Sequence, residues 1–393
     1  MIALATGKRI CILVFSNIAR DGRVLREVEY ARRDYEVDVI AYGSWDHPEN
    51  INYFQLERSD SNSFASNMLR LLSLAAGKFN SAIFEDIFWR QAEYKQAMEI
   101  LKKGRYDLIH ANDWNALSVA GFAVRGTKTL ILFDAHEYTP AQFNQYFTGR
   151  YLKSQYYEYM LRAHSKDISG MITVSDGIAA LYRKNFGWDA TVVRNAPQYV
   201  SVESHSVIPG SIQLVHHGGA IPGRYLEELI QLISLLDERF QLTFILVPTD
   251  RAYLIHLKKL SSRLAPDRIK FLDPIAPSSL AAKLAAYDIG VHLLRAANLN
   301  HLYALPNKLF DFIMAGLGVA IFPLPEMAKV VKEYQIGIVS PDESIHSMAA
   351  MLNNLSASQI DEFKRNSLLL AKTLNGDVEM RKLIDIYAKL LAG

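Results

Sequence analysis

Two stretches of the sequence hold the residue types that bind an anion. The first is H-H-G-G-A-I-P-G-R at 216–224, which follows an apolar run and leads into a helical pattern. Gly218 and Gly219 let the backbone approach a ligand, a helix start offers free N–H groups, and Arg224 adds a guanidinium able to grip a phosphate with two donors. The second is L-Y-A-L-P-N-K-L-F-D-F-I-M-A-G at 302–316. Pro306 suits the first turn of a helix, which puts Lys308 near its start and Asp311 about one turn on, where a carboxylate can accept two hydroxyls of a ribose. The spacing is neither G-x-G-x-x-G nor that of a Walker loop, so it supports neither a dinucleotide site nor a P-loop. The plain alternatives are a tight turn with a surface arginine and an ordinary solvated lysine.

These loops need rigid elements to carry them. Short β-branched and aliphatic runs alternate with helical periodicity twice along the chain, which is the pattern of parallel sheets covered by helices. In the first half strands are expected at 10–15, 37–42, 108–111, 129–133, 171–174 and 191–193, and in the second at 212–216, 242–247, 269–272, 289–294, 319–322 and 336–339. The stretch 195–210, with two prolines and several serines, reads as a linker. Residues 1–200 are thus expected to form one domain, 205–375 a second, and 376–393 a helix that packs back on the first. In that helix Met380, Leu383, Ile384, Tyr387, Leu390 and Leu391 recur at helical spacing. In doubly wound domains ligands bind outside the carboxyl ends of the strands, so chemistry is sought on strand-to-helix loops.

Composition removes several classes. A chain of 393 residues is long enough for two cores, and half of it is hydrophobic with about a fifth charged, the balance of a globular protein. Forty-three basic residues against 41 acidic ones leave no nucleic-acid footprint. The single cysteine, Cys11, lies in an apolar run and reads as a buried structural thiol, which fits a reducing cytoplasm. The run 10–15 after Lys8 and Arg9 is too short for a signal peptide, and no apolar run reaches the roughly 18 residues of a membrane span. A soluble protein, or one attached to a membrane surface, is expected.

The sequence resembles a family 4 retaining glycosyltransferase of the GT-B fold, over most of its length. The likeness rests on P-N-K-L-F-D-F-I-M-A-G at 306–316, L-P-E-M at 324–327, the H-H-G-G loop, Y-D-I-G-V at 287–291, V-S-D-G-I at 174–178 and V-V-R-N-A-P at 192–197. In the first half it rests on D-G-R-V-L-R-E at 21–27, H-A-N-D-W-N-A-L at 110–117 and D-A-H-E-Y at 134–138. It implies two Rossmann-like domains facing a cleft, the first for the acceptor and the second for a nucleotide-diphosphate sugar, UDP being favoured over GDP. The family's Glu-x7-Glu pair falls on Tyr303 and Asp311, the second holding the ribose; a tyrosine at the first leaves the sugar's identity open. Arg224 and Lys308 would neutralise the diphosphate, the work a metal does in other folds, and no D-x-D is present, so neither metal nor separate cofactor is expected. The loop Asp273-Pro274-Ile275 falls where the base is held. His136 matches the histidine that faces the reacting sugar, with a satisfied structural histidine as the alternative. Glu137 either orients a hydroxyl or caps the next element. Asp113 either meets the acceptor or caps the helix that follows. Asn17 and Arg20 would reach the diphosphate from the first domain, while Arg23 and Arg26 read as solvated or paired with Glu27 and Glu29. The rings of His216 and His217 either line the donor loop or pack under it.

The implied reaction is hexosyl transfer with retention, in which cations and N–H groups stabilise the departing diphosphate and its own oxygen takes the acceptor's proton. Two rivals are a non-catalytic partner of a glycosyltransferase and a sugar-nucleotide epimerase of the same fold; the missing nicotinamide fingerprint argues against a dehydrogenase. The acceptor would be a glycan or a lipid-linked species in surface polysaccharide or glycoconjugate synthesis, on the inner face of the membrane. The motive is apolar residues at 64–89 and an aromatic and basic cluster containing Tyr146, Arg150, Tyr151, Lys153, Tyr156, Tyr157, Tyr159 and Arg162. Filling of the domain core, or a dimer interface, is the alternative reading of both.

Overall fold

A computed structural model describes residues 7–58, 64–142, 149–164 and 166–392, to which every structural statement here refers. Its contacts divide the chain into two units. The first takes Met1–Arg194, Asn298–Asn300 and Met380–Gly393, and the second Asn195–Ala297 and His301–Glu379.

The first unit holds a seven-stranded parallel sheet of β1 (Arg9–Asn17), β2 (Glu36–Tyr42), β3 (Ile51–Leu56), β4 (Leu108–Asn112), β5 (Leu130–Ala135), β6 (Gly170–Thr173) and β7 (Thr191–Val192), in the order 3-2-1-4-5-6-7. The second holds a six-stranded sheet of β8 (Ile212–Gly219), β9 (Phe240–Val247), β10 (Ile269–Leu272), β11 (Ile289–His292), β12 (Gly318–Ile321) and β13 (Gly337–Val339), in the order 10-9-8-11-12-13. All the expected strands are present. β3 is the addition: a sheet-edge strand whose I-N-Y-F-Q-L has no clean apolar alternation, because only Ile51 and Leu56 are buried. β8 also runs on past the expected end, through Gly219, since it pairs with β9 as far as Gly219 and Val247.

Ile10, Ile12 and Val14 of β1 put alternate side chains into the first core, where Val24 and Val28 of the helix Gly22–Ala31 meet them. Cys11 points to the other face and is fully buried, as the apolar run required. The last helix, Gly376–Ala392, inserts Met380, Leu383 and Tyr387 into that same core, with Tyr35 standing edge-on to Tyr387 at 5.8 Å. In the second unit both faces of the sheet are covered. Leu229, Ile233 and Phe244 lie in one core, Leu309, Phe310 and Ile313 in the other.

The apolar segments of the first unit divide. Phe84, Ile87, Phe88, Tyr156 and Tyr157 are buried, with Phe84 against Tyr156, and Trp114 against both Tyr156 and Tyr157, so these fill a core. Met68, Leu69 and Leu72 on the helix Phe64–Gly77, and Phe79 beyond it, stay exposed. Tyr146 lies outside the described residues.

Because Leu383 is fully buried beneath β1, Leu383→Ala should destabilise the fold by about 2–5 kcal/mol through lost burial and the cavity left behind. Urea unfolding followed by circular dichroism measures it; a change under about 0.5 kcal/mol would show that the helix is not part of the core.

Candidate functional site

In each sheet the strand order reverses at one point, between β1 and β4 and between β8 and β11. The carboxyl ends of the strands there are where such folds bind ligands. The candidate residues gather at those two places.

In the second unit the end of β8 brings His217 and Gly218 against Lys308, which sits one residue inside the helix Asn307–Met314. Gly218 has φ +134°, a conformation that favours glycine, and a Cβ on it would stand 2.9 Å from Lys308 Nζ and push that ammonium aside. Burial first, and then the neighbouring Arg224 guanidinium, bring the Lys308 ammonium down to about 8, against the pull of Asp311. Two cations are thus held within reach of each other, an arrangement that an anion relieves. Arg224 is exposed on the loop after β8. The following helix starts at Leu226, after Tyr225 with φ 57°, a left-handed conformation costly for a tyrosine.

Three imidazoles lie beneath these cations. His216, His217 and His292 are all pushed down by burial and then by Lys308, His216 and His217 to about 3, so all three are neutral near pH 7. His216 packs under the loop, its Nδ1 2.8 Å from the carbonyl oxygen of Val291. His217 lines it: its Nε2 is buried without a hydrogen-bond partner, 3.5 Å from Asp311 Oδ2, and its ring stands edge-on to Phe312. Tyr303 follows the short helix Leu299–Leu302 and is half-buried. Ile275 packs partly against the core, while Asp273 is exposed and lines a small hollow with Pro248, Phe271 and Leu272.

In the first unit His136 follows β5 and stands between two carboxylates. Its Nδ1 is 3.5 Å from Asp113 Oδ2, and its Nε2 is 3.3 Å from Asp134 Oδ2 and 3.1 Å from Asn112 Oδ1. Burial alone would lower the imidazole, but Asp113 and Asp134 raise it to about 10. His136 is therefore an imidazolium near neutral pH, and with 23% of its side chain exposed it can be reached from solvent. Asp113 does not cap the helix Asp113–Ala123. Its φ of 68° turns the carboxylate back to accept a hydrogen bond from the His136 backbone N–H, at 3.2 Å. The loop is held elsewhere too: Tyr182 donates to the Glu137 carbonyl, Asn300 Nδ2 donates to Glu137 Oε2, and Asn300 Oδ1 accepts from Tyr138 N–H.

Sequence reasoning missed what lies behind His136. Arg23, expected to be solvated or paired, is 3% exposed and does pair with Glu27 at 3.0 Å, but also with Asp134 at 2.7 Å. The helical pattern of 21–27 could not show that its polar side faces a sheet end. Glu27, Asp134 and His136 each bring a ligand atom within 4.8 Å of the others, the spacing a metal would use. Arg23 already supplies a cation to both carboxylates there. Asn17 accepts a hydrogen bond from Ala19 N–H and caps the 3-10 turn after β1, and Arg20 is exposed.

Lys308 gives a signed prediction. The unfolded lysine keeps its proton to about 10.5, so the depressed ammonium destabilises the fold below pH about 8, and the deficit shrinks as pH rises from about 8 toward 10.5. Lys308→Met should therefore stabilise the ligand-free protein at pH 7 by on the order of 1–3 kcal/mol and abolish its stabilisation by pyrophosphate. Thermal unfolding with and without pyrophosphate reads both; a destabilised variant that still responds to pyrophosphate would overturn the assignment.

Residues 28–197 match the family model described as Glycosyltransferase Family 4. The sequence matches no curated protein at a significant level. Among solved structures, sucrose-phosphate synthase from Thermosynechococcus elongatus is similar with a TM-score of 0.71 at 13% identity, over 98% of this chain and 99% of that one. A trehalose-6-phosphate structure from E. coli bound with UDP-2-fluoro glucose gives 0.69 at 13%, over 98% and 99%. Anabaena HepE in complex with UDP and glucose gives 0.69 at 14%, over 96% and 99%. Two parallel-sheet Rossmann-like units align over nearly the whole of these structures, so the chain has the GT-B fold, and its residues 28–197 are similar to the Glycosyltransferase Family 4 domain.

Proposed function

We propose that this protein transfers a hexosyl group from a nucleotide-diphosphate sugar to an acceptor with retention, without a metal, and that the second unit binds the donor. The observation that carries the reading is the Lys308 ammonium, held against bare Gly218 with Arg224 close enough to depress it. Such a pair, at the reversal point of a parallel sheet, suits a diphosphate. His217 Nε2, buried and unpartnered, offers a neutral donor beside Asp311, the residue we assign to the ribose. Gly218 and Gly219 would let the diphosphate approach the backbone, Ile275 would lie by the base and Tyr303 by the sugar. UDP is the nucleotide we favour, because the similar Anabaena structure holds UDP and the E. coli one a UDP sugar.

As the bond from the anomeric carbon to the diphosphate breaks, negative charge grows on the leaving oxygens. Arg224 and Lys308 stabilise it, and the leaving oxygen accepts the acceptor's proton. His136 belongs to the transfer step: clamped as an imidazolium with both ring N–H groups turned to Asp113 and Asp134, it contributes a fixed positive charge and cannot serve as a base near pH 7. No helix among the described residues is long and apolar enough to cross a membrane. The exposed Met68, Leu69 and Leu72, with Phe79 94% exposed beside Lys78, support an acceptor presented at an anionic membrane surface, in cytoplasmic synthesis of a surface glycan.

Calorimetry and turnover test these roles together. Lys308→Ala should weaken binding of a nucleoside diphosphate by on the order of 1.5–3 kcal/mol, and unchanged affinity removes the donor assignment. His136→Ala should keep nucleotide affinity and lose turnover; full turnover at saturating substrates would return His136 to a structural role. Donor binding with neither transfer nor hydrolysis would favour the non-catalytic partner, a reading that Tyr303 supports. For the surface, the protein should sediment with anionic liposomes at physiological salt and Phe79→Ser should reduce this; a protein left wholly in the supernatant has no such contact.

A further inference from the structure

Behind His136 lies a buried polar chain that ends on the last helix. Asp134 Oδ2 is its hub: Arg23 Nε reaches it at 2.8 Å, His136 Nε2 at 3.3 Å and His110 Nε2 at 3.6 Å. His110 is fully buried on β4, and its Nδ1 is 2.6 Å from the hydroxyl of Tyr387, also fully buried. Among the described residues that ring nitrogen is the one acceptor the Tyr387 hydroxyl meets, nearby Glu27 pairing with Arg23 instead. The hydroxyl therefore donates, Nδ1 is left unprotonated, and the His110 proton sits on Nε2, which has no hydrogen-bond partner among the described residues and faces the Asp134 carboxylate at 3.6 Å as an electrostatic contact.

We propose that Tyr387 is a positioning residue for His136: its hydroxyl fixes the His110 tautomer, and His110 with Arg23 fixes the carboxylate on which His136 rests. Without that hydroxyl, His110 Nδ1 faces only Glu27 Oε2, at 3.9 Å, and gains by taking the proton itself. Its bare Nε2 lone pair would then face Asp134 Oδ2 and push the carboxylate off its place. The charged and titratable groups around His136 are Asp113 beside it, Asp134 on β5, His110 on β4, and Arg23 and Glu27 on the helix Gly22–Ala31. Tyr387 touches His136 only through this chain. The inference rests on the proposed role of His136 for its effect on turnover, though not for its effect on the rings.

The test is nitrogen-15 NMR of the imidazole rings in full-length protein labelled at histidine, assigned with His110→Gln and His136→Gln. Wild type should show the His110 proton on Nε2 and a bare Nδ1, with His136 doubly protonated. Tyr387→Phe keeps the ring packed against Tyr35 and removes only the hydroxyl. It should move the His110 proton to Nδ1, lower the His136 titration midpoint by about one unit, and cut kcat roughly tenfold at unchanged donor KM. A wild-type His110 protonated on Nδ1 overturns the proposal without any variant. So does a folded Tyr387→Phe whose His110 and His136 signals match wild type. Ring signals that shift while kcat holds would support the positioning chain and sink the role of His136 in transfer.

Discussion

The cost of burying charge at the open end of a parallel sheet organises both halves of this molecule. Where the strand order reverses, adjacent connections run to opposite faces and leave a crevice that no helix covers. Polar residues can be brought there, but each charge taken from water needs a partner. In the first unit the partners are internal: Arg23 and His136 bring positive charge to Asp134, which lies well below the usual carboxylate range despite its burial. In the second unit Asp311 offsets burial and the neighbouring Arg224 only in part, and Lys308 answers by holding its proton weakly. One set of buried charges is largely paired within the protein, and the other carries a cation that its neighbours leave partly uncompensated.

That contrast divides the work. A His136 held between two carboxylates has little freedom to move or to lose its proton near pH 7, which suits a fixed charge and not a base. The loop after β8, with left-handed Tyr225 next to an exposed arginine, stores strain beside the guanidinium we assign to the diphosphate.

The fold was legible because β-branched runs alternating with helical periodicity admit few arrangements, and Leu383 and Tyr387 fall on one stripe of the last helix. β3 was not, since a sheet-edge strand with two buried residues lacks the alternation that marks one. In the site, Gly218, Lys308, Asp311 and His136 could be picked out by residue type and family likeness. Arg23, Glu27 and His110 could not, because what matters in them is three-dimensional: a polar helix face turned inward, and a histidine midway along an apolar strand. The roles of Asp113 and the two loop histidines also needed coordinates, since capping, lining and underpacking share one sequence signature.

The depressed ammonium of Lys308 has a thermodynamic consequence. Near pH 8 about half of the ligand-free molecules carry it without its proton, and an anion beside it restores the proton. Ligand capture at that pH then draws part of a proton from the buffer, so the heat released depends on the buffer's own ionisation enthalpy. Across buffers of different ionisation enthalpy at one pH, the observed binding enthalpies should fall on a line whose slope counts the protons taken up, and that slope should vanish as the pH is lowered well below 8.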